Sequence, residues 1–109
     1  MASLWAEYIR ERDQDIIEDE LGFISFYVSA PKIMLEDFYV KKEARGKGHG
    51  LYLIKELEKL GKERGCNQLV ATVVSSLPLA TDTLRMCIRF GLKVIGSDNK
   101  YVWLSKEIT

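Results

Sequence analysis

Residues 33–64 read IMLEDFYVKKEARGKGHGLYLIKELEKLGKER, and this segment determines the fold class of the 109-residue chain. It begins with an apolar and aromatic run, Ile33–Val40, which predicts a β-strand. A glycine-rich loop follows, and Leu51–Arg64 then places leucine and isoleucine on one helical face with charged residues around the rest. A strand, a glycine loop and an amphipathic helix in this order predict a site where backbone amides at a helix start bind an anion.

The loop Arg45–Gly50 alternates glycine with larger residues, placing glycine at positions 46, 48 and 50. Glycine has no Cβ, so the backbone can approach a ligand closely and adopt positive φ where the turn requires it. Arg45 and Lys47 add donors for charge-assisted hydrogen bonds to the same anion. The alternative is a flexible surface turn, but the position between a strand and a helix favours the anion site.

Two common nucleotide-binding loops do not fit this spacing. A P-loop ends in Lys followed by Ser or Thr, and the corresponding residues here are Gly50 and Leu51. A dinucleotide fold requires G-x-G-x-x-G and an acidic residue at the end of the next strand. This loop reads G-x-G-x-G, and the next apolar run ends in Val74-Ser75. Both classes of nucleotide site are therefore excluded.

The remaining elements place this unit at the centre of a mixed sheet. Residues 4–12 could form a helix capped by Ser3 or an edge strand, and the pattern leaves both open. The other predicted elements are strands at 16–18, 22–29 and 69–74, a helix at 80–90, and a hairpin of strands 92–95 and 101–106. We therefore expect an α/β (α+β) fold: a mixed, mostly antiparallel sheet flanked by helices, with one central parallel β-α-β unit and a C-terminal hairpin.

Composition restricts the class of protein. A hydrophobic fraction of 47% and a charged fraction of 29% predict one globular domain, residues 1–109. Sixteen basic residues balance sixteen acidic ones, which argues against a nucleic-acid partner. No segment approaches the roughly 18 apolar residues of a membrane span, and residues 1–12 lack a signal peptide's apolar stretch. Cys66 and Cys87, with one His, predict no metal site but free thiols and a cytoplasmic location.

The motif Arg45-x-x-Gly48-x-Gly50 resembles the R/Q-x-x-G-x-G/A motif of the GNAT N-acetyltransferases. The preceding strand, the following helix and the segment 90–92 (FGL), where the family has a variant of x-G-F, extend the resemblance over residues 22–106. The family's longer N-terminal helical section is largely absent, so the chain resembles its smallest members. The resemblance implies acetyl-CoA as cosubstrate and transfer of its acetyl group to a primary amine of a small molecule or peptide.

The resemblance also implies how the cofactor lies. In the family the strand before the loop splays from its neighbour, and the pantetheine arm occupies the gap. The backbone of Phe38 and Val40 would pair with pantetheine amides, the loop amides would bind the pyrophosphate, and Lys47 would reach an outer phosphate. We expect the side chain of His49 to be exposed while its backbone contributes. The cofactor-binding residues implied in this way are Phe38, Tyr39, Val40, Arg45, Gly46, Lys47, Gly48, His49, Gly50 and Leu51.

Glu36 and Cys87 are the candidate catalytic residues. Glu36 lies on the strand that leads to the loop, where family members often keep a general base, and apolar neighbours would raise its pKa. The alternative is an exposed edge-strand charge, and alternation predicts that Asp37 points to the opposite face. Cys87 lies four residues before Gly91, where the family often has a tyrosine acid. It could instead be a small core residue, with Tyr101 as the proton donor or no donor required.

The sequence leaves three functions open: an N-acetyltransferase, a non-catalytic coenzyme A-binding module, and an interaction protein with a GNAT fold. In the family, the regions corresponding to residues 1–35 and 97–100 form the wall that selects the acceptor. Neither region has a charge bias that identifies the acceptor. A homodimer also stays open, because so short a chain could pair its sheet edges with a second copy.

Overall fold

A six-stranded mixed sheet forms the centre of the computed structural model, which describes residues 3–12, 14–78 and 80–108. The strands are β1 (Asp15–Glu18), β2 (Gly22–Ser29), β3 (Lys32–Val40), β4 (Gln68–Val74), β5 (Lys93–Ser97) and β6 (Tyr101–Glu107). The helices are α1 (Leu4–Glu11), α2 (His49–Glu63) and α3 (Ala80–Arg89), with a short 3-10 turn at Lys42–Ala44. The strand order is β1-β2-β3-β4-β6-β5, and only β3 and β4 run parallel. The predicted mixed sheet, its single parallel β-α-β unit and its C-terminal hairpin are confirmed.

The first element is a helix, so the alternative of an edge strand is wrong. The Ser3 hydroxyl accepts a hydrogen bond of 3.0 Å from the Ala6 backbone N–H, which caps α1 as predicted. Ala6 and Ile9 are buried against Ile16 of β1, with Phe23 of β2 packed beside them. These contacts form a small second core between α1 and one face of the sheet.

Helices α2 and α3 cover the opposite face and form the main core. Leu53 and Leu57 of α2 are fully buried there together with Leu69 of β4. Lys106 of β6 donates hydrogen bonds to the Glu58 carboxylate in α2 and to the backbone carbonyl of the residue that follows α3. Helix α2 and the C-terminal end of α3 therefore lie on the same side of the sheet.

A bulge in β3 changes the faces on which its side chains lie. Leu35 and Asp37 pair with consecutive residues of β2, so Glu36 is an extra residue without a partner. Asp37 pairs with Ser25, and the Ser25 hydroxyl lies 3.3 Å from the Asp37 carboxylate. Leu35 and Phe38 both belong to the main core, whereas Glu36 and Asp37 are exposed and face away from it. The prediction that Asp37 points to the face opposite Glu36 is therefore wrong.

The parallel pair of strands separates in the middle of the sheet. β3 and β4 pair from Lys32 and Gln68 to Leu35 and Ala71, and no further. Beyond that level β3 continues along β2, and β4 continues along β6. A gap therefore opens between β3 and β4 at Glu36, so the splay implied by the resemblance is present.

Candidate functional site

A cavity of about 540 Å³ lies beside the glycine loop, on the face of the sheet that carries α2 and α3. Its walls come from the end of β3, the loop with the start of α2, and one side of α3. The predicted cofactor residues that line it are Phe38, Tyr39, Val40, Arg45, Gly46, Gly48, Gly50 and Leu51. Lys47 and His49, also predicted, do not line it.

The loop presents a row of backbone donors. None of the backbone N–H groups from Gly46 to Leu51 donates a hydrogen bond to another residue that the structure describes. The first bond of the helix is from the Tyr52 N–H to the Gly48 carbonyl, at 3.1 Å. Gly48 is the N-cap residue and has no side chain that could satisfy these donors. The free N–H groups and the positive end of the α2 dipole are an arrangement that can bind an anion.

The three glycines meet two different requirements. Gly46 has φ of 76° and Gly48 has φ of 89°, in the left-handed region that other residues rarely adopt. Gly50 is needed for close packing, since an added Cβ would lie 3.1 Å from Cζ of Phe38 and 3.2 Å from Cζ of Phe90. Two of the glycines therefore shape the loop, and the third lets α2 approach the cavity wall.

Arg45 is fixed by the strand that precedes it. Its Nε donates a 2.8 Å hydrogen bond to the Val40 carbonyl, and its guanidinium carbon lies 5.5 Å from the centre of the Tyr39 ring. Arginine has five N–H donors, so the terminal nitrogens remain available to an anion in the cavity. The Val40 carbonyl, expected to pair with pantetheine, already accepts one hydrogen bond. The Lys47 side chain is exposed, outside the cavity wall.

His49 does not have the exposed side chain that the sequence led us to expect. The side chain is only 14% exposed, and Nε2 lies 2.9 Å from a carboxylate oxygen of Asp19. The ring stacks on Tyr52, with ring centres 5.4 Å apart. Burial on its own raises the pKa of Asp19, but hydrogen bonds from the Leu21 N–H, His49 and the Gly22 N–H together lower it. The expectation for this side chain is therefore wrong, and sequence reasoning missed Asp19.

The wall formed by α3 was also missed. The residues of α3 and its C-terminal end that line the cavity are Asp82, Thr83, Met86, Arg89 and Phe90. Their spacing places them on one face of a helix, which is the signal that could have identified them. The cavity-lining face is not the buried one, since Cys87 is 5% exposed and its neighbour Ile88 is 53% exposed.

Cys87 lies in the core and does not line the cavity. It is 5% exposed, and burial raises the pKa of its thiol to about 11. An unperturbed thiol has a pKa of about 8.5, so Cys87 would protonate a leaving thiolate only against an unfavourable equilibrium. The structure therefore favours a core role for Cys87 over the predicted role as general acid.

Glu36 lies where the gap between β3 and β4 begins. Partial burial of the carboxylate, and then the neighbouring Asp37 carboxylate, raise the pKa of Glu36, while Arg12 opposes the shift. The bulge directs this carboxylate to the face of the sheet opposite the cavity. Tyr101, the alternative proton donor, is 37% exposed, with its ring 5.9 Å from that of Trp103.

Metal sites and membrane-spanning helices are both absent from the described part of the chain. No group of three or more His, Cys, Asp or Glu side chains among those residues could hold a metal ion. No helix within residues 3–12, 14–78 and 80–108 is long and apolar enough to cross a membrane.

A sequence model of the Acetyltransferase (GNAT) family matches residues 5–86, which is more than half of the chain. The chain belongs to this family. The match includes most of α1, the sheet as far as β4, the glycine loop and most of α3. The resemblance that the loop motif suggested is thereby confirmed.

Solved structures of acetyltransferases have the same fold. The paia N-acetyltransferase of Thermoplasma acidophilum, in complex with coenzyme A, is 25% identical with a TM-score of 0.76, and the match covers 93% of this chain and 67% of that one. A nourseothricin acetyltransferase is 22% identical with a TM-score of 0.72, over 91% of this chain and 68% of that one. The second likeness shows the fold alone.

Two curated relatives share a shorter stretch of sequence. The thialysine N-epsilon-acetyltransferase of Bos taurus is 45% identical over 42 residues, which are 38% of this chain and 25% of that protein. The enzyme of the same name from Sus scrofa is 40% identical over 50 residues, 46% of this chain and 29% of that protein. The matched stretch thus spans less than a third of the length of these relatives.

Proposed function

We propose that this chain is an N-acetyltransferase that transfers the acetyl group of acetyl-CoA to a primary amine. The observation that carries the proposal is the cavity. One of its walls is a row of unpaired backbone N–H groups, and another is the part of β3 that has separated from β4. Membership of the acetyltransferase family supports the same chemistry.

The cavity residues fit the parts of coenzyme A. The N–H groups from Gly46 to Leu51 would bind the pyrophosphate, with Arg45 supplying charged donors and Lys47 reaching an outer phosphate. The edge of β3 from Glu36 to Val40 has no strand partner on the β4 side. An extended arm with amide groups can add to such an edge by backbone hydrogen bonds, as pantetheine would.

The reaction requires two proton transfers. The amine nitrogen forms a bond to the thioester carbonyl carbon, the C–S bond breaks, and the sulfur leaves as a thiolate that takes up a proton. Glu36 would accept the proton that the amine loses, and its raised pKa brings it closer to the working pH of a general base. Because Glu36 faces away from the cavity, the acceptor would approach through the gap from the other face of the sheet. Tyr101 remains the candidate donor to the thiolate.

The acceptor we would test first is a primary amine at the end of an alkyl chain. The support is the name of the curated relatives, thialysine N-epsilon-acetyltransferase, and their 45% and 40% identity over the matched stretch. A cytoplasmic location is part of the proposal, because Cys66 and Cys87 are both free thiols.

Binding and turnover can be measured separately. Acetyl-CoA at about 100 times its Kd should raise the free energy of unfolding by about 2.7 kcal/mol, whereas ATP at the same concentration should not. Release of free thiol should then be followed with alkyl diamines, lysine, thialysine and short peptides. Binding without turnover would identify a non-catalytic coenzyme A-binding module. The absence of any stabilisation by acetyl-CoA would contradict both functions.

A further inference from the structure

The pair formed by Asp19 and His49 connects the cavity loop to a residue 30 positions earlier in the chain. Asp19 lies in the turn between β1 and β2, and His49 is the first residue of α2. Nε2 of His49 lies 3.0 Å from one carboxylate oxygen of Asp19 and 2.9 Å from the other. An ionised carboxylate only accepts hydrogen bonds, so Nε2 carries the hydrogen and donates it.

The turn that holds Asp19 is firmly attached to the sheet. The Asp19 carboxylate also accepts hydrogen bonds from the backbone N–H groups of Leu21, at 2.8 Å, and Gly22, at 3.0 Å. The Leu21 carbonyl accepts a 2.8 Å bond from the Lys41 N–H, directly after β3. A Cβ on Gly22 would lie 2.3 Å from the Tyr39 carbonyl oxygen, so the turn packs directly on β3. The histidine is therefore tied to a fixed support.

The His49 side chain lies outside the cavity, although its neighbours in the loop line it. Gly48 and Gly50 form part of the cavity wall, whereas His49 and Asp19 do not. The His49 ring is instead held between Asp19 and Tyr52, on which it stacks at an interplanar angle of 26°. The pair therefore supports the loop from behind while the backbone N–H groups remain free.

We propose that His49 is a positioning residue for the glycine loop Arg45–Gly50, which we call the phosphate loop. Its bond to Asp19 holds the first turn of α2 so that the N–H groups from Gly46 to Leu51 are available to the cavity. The same bond occupies a carboxylate that would otherwise oppose a bound phosphate. This inference rests on the proposed function, because it takes the pyrophosphate of coenzyme A as the ligand of the loop.

The negative charge of Asp19 is the reason why its carboxylate would oppose a bound phosphate. An anion near the start of a helix interacts favourably with the helix dipole, and so competes with a ligand phosphate for the same partial charge. The hydrogen bonds that Asp19 accepts from the Leu21 and Gly22 N–H groups hold its carboxylate at this place. A hydrogen bond from His49 stabilises the carboxylate in a position outside the cavity wall.

The test uses three variants of the full chain. His49→Phe keeps a ring that can stack on Tyr52 but cannot donate to Asp19, and we expect KM for acetyl-CoA to rise about fivefold with kcat unchanged. Adding Asp19→Asn to this variant removes the unshielded charge and should recover part of the loss. His49→Gln, which can still donate a hydrogen bond, should remain close to the wild type.

A donor without the pyrophosphate locates the effect. With S-acetylpantetheine in place of acetyl-CoA, His49→Phe and the wild type should have equal kcat/KM. Arg10→Ala, which removes a 3.4 Å ion pair to Asp15 elsewhere on the surface, is the matched control and should leave KM for acetyl-CoA unchanged. Circular dichroism and the thermal midpoint of each variant establish that it is folded.

The outcomes separate this inference from the proposed function. If the wild type does not bind coenzyme A, the proposed function fails and the inference fails with it. If the wild type binds and His49→Phe binds equally well, only the inference is overturned. An equal loss with S-acetylpantetheine, or a double variant weaker than His49→Phe, would also overturn it, since each would indicate a general structural role.

Discussion

Replacing Gly48 with alanine would test the conformation of the phosphate loop. Gly48 has φ of 89°, and an added Cβ would meet nothing within 4 Å, so the cost is backbone strain and not a clash. A left-handed L-residue costs about 1–2 kcal/mol, and the lower entropy of an unfolded alanine chain offsets roughly 0.4–1 kcal/mol. The free energy of unfolding should fall by about 1 kcal/mol, which lowers the thermal midpoint by roughly 4–8 °C.

Gly65→Ala is the matched control for this change. Gly65 has φ of 79°, and an added Cβ there also meets nothing within 4 Å. It lies just beyond the C-terminal end of α2, a helix of 15 residues that separates it from the loop by roughly 20 Å. The two variants should therefore lose similar stability, while only Gly48→Ala alters the loop.

The affinity for coenzyme A should distinguish the two variants. If the alanine in Gly48→Ala relaxes toward negative φ, the neighbouring N–H groups turn away from the cavity. The loss of one hydrogen bond to a charged phosphate costs about 1.5–3 kcal/mol, or about 10- to 150-fold in Kd. Calorimetric titration with coenzyme A, well below both thermal midpoints, measures this difference. Equal Kd values for two variants of equal stability would refute the reasoning that the backbone conformation at Gly48 sets the affinity of the loop for phosphate.

Three further substitutions test the other residues. Glu36→Gln should lower kcat by about 100-fold or more without changing Kd for coenzyme A. An unchanged kcat would exclude Glu36 as the base. The substitution should also raise the thermal midpoint at pH 7. The pKa of Glu36 is raised in the folded state, so its contribution to stability at low pH is lost as pH rises through the folded pKa, whereas a neutral glutamine loses nothing. Cys87→Ala should keep kcat within about twofold, as expected for a buried residue with a raised thiol pKa, and a large loss of turnover would restore it as the proton donor. Arg89→Ala should weaken coenzyme A binding, and this loss should become smaller as salt concentration rises. Arg85→Ala, outside the cavity wall, should leave the affinity unchanged. Identical affinities of the two variants would contradict a contact between Arg89 and phosphate.

The fold was predictable from local patterns because the hydrophobic pattern of each central strand and helix is clear in its own sequence. The run LVATVV predicted a strand at 69–74, and β4 is Gln68–Val74. The start of α2 was placed two residues late, at Leu51 instead of His49. A glycine-rich string resembles a loop even where Gly50 already lies in the first helical turn.

The faces of β3 were not predictable from the sequence. Alternation along one strand assumes that its partner has a residue opposite each position, and the bulge at Glu36 breaks this rule. The pair of Asp19 and His49 was also beyond a local pattern, because only the folded chain brings a turn before β2 to the start of α2. The motif identified the loop, but it contains no information about the side chains that hold the loop in place.

The bulge connects the packing of the core to the organisation of the candidate site. With Leu35 on the face of the sheet that carries α2, a regular strand would direct Asp37 and Tyr39 into the core and leave Phe38 and Val40 outside it. Val40 is 7% exposed and the Phe38 ring lies 6.3 Å from that of Phe90, so the core requires the extra residue. The extra residue is Glu36, and β3 leaves β4 at the same level. The requirement to bury Phe38 and Val40 therefore also places a carboxylate at the gap, on the face opposite the cavity, where the proposed reaction needs a base.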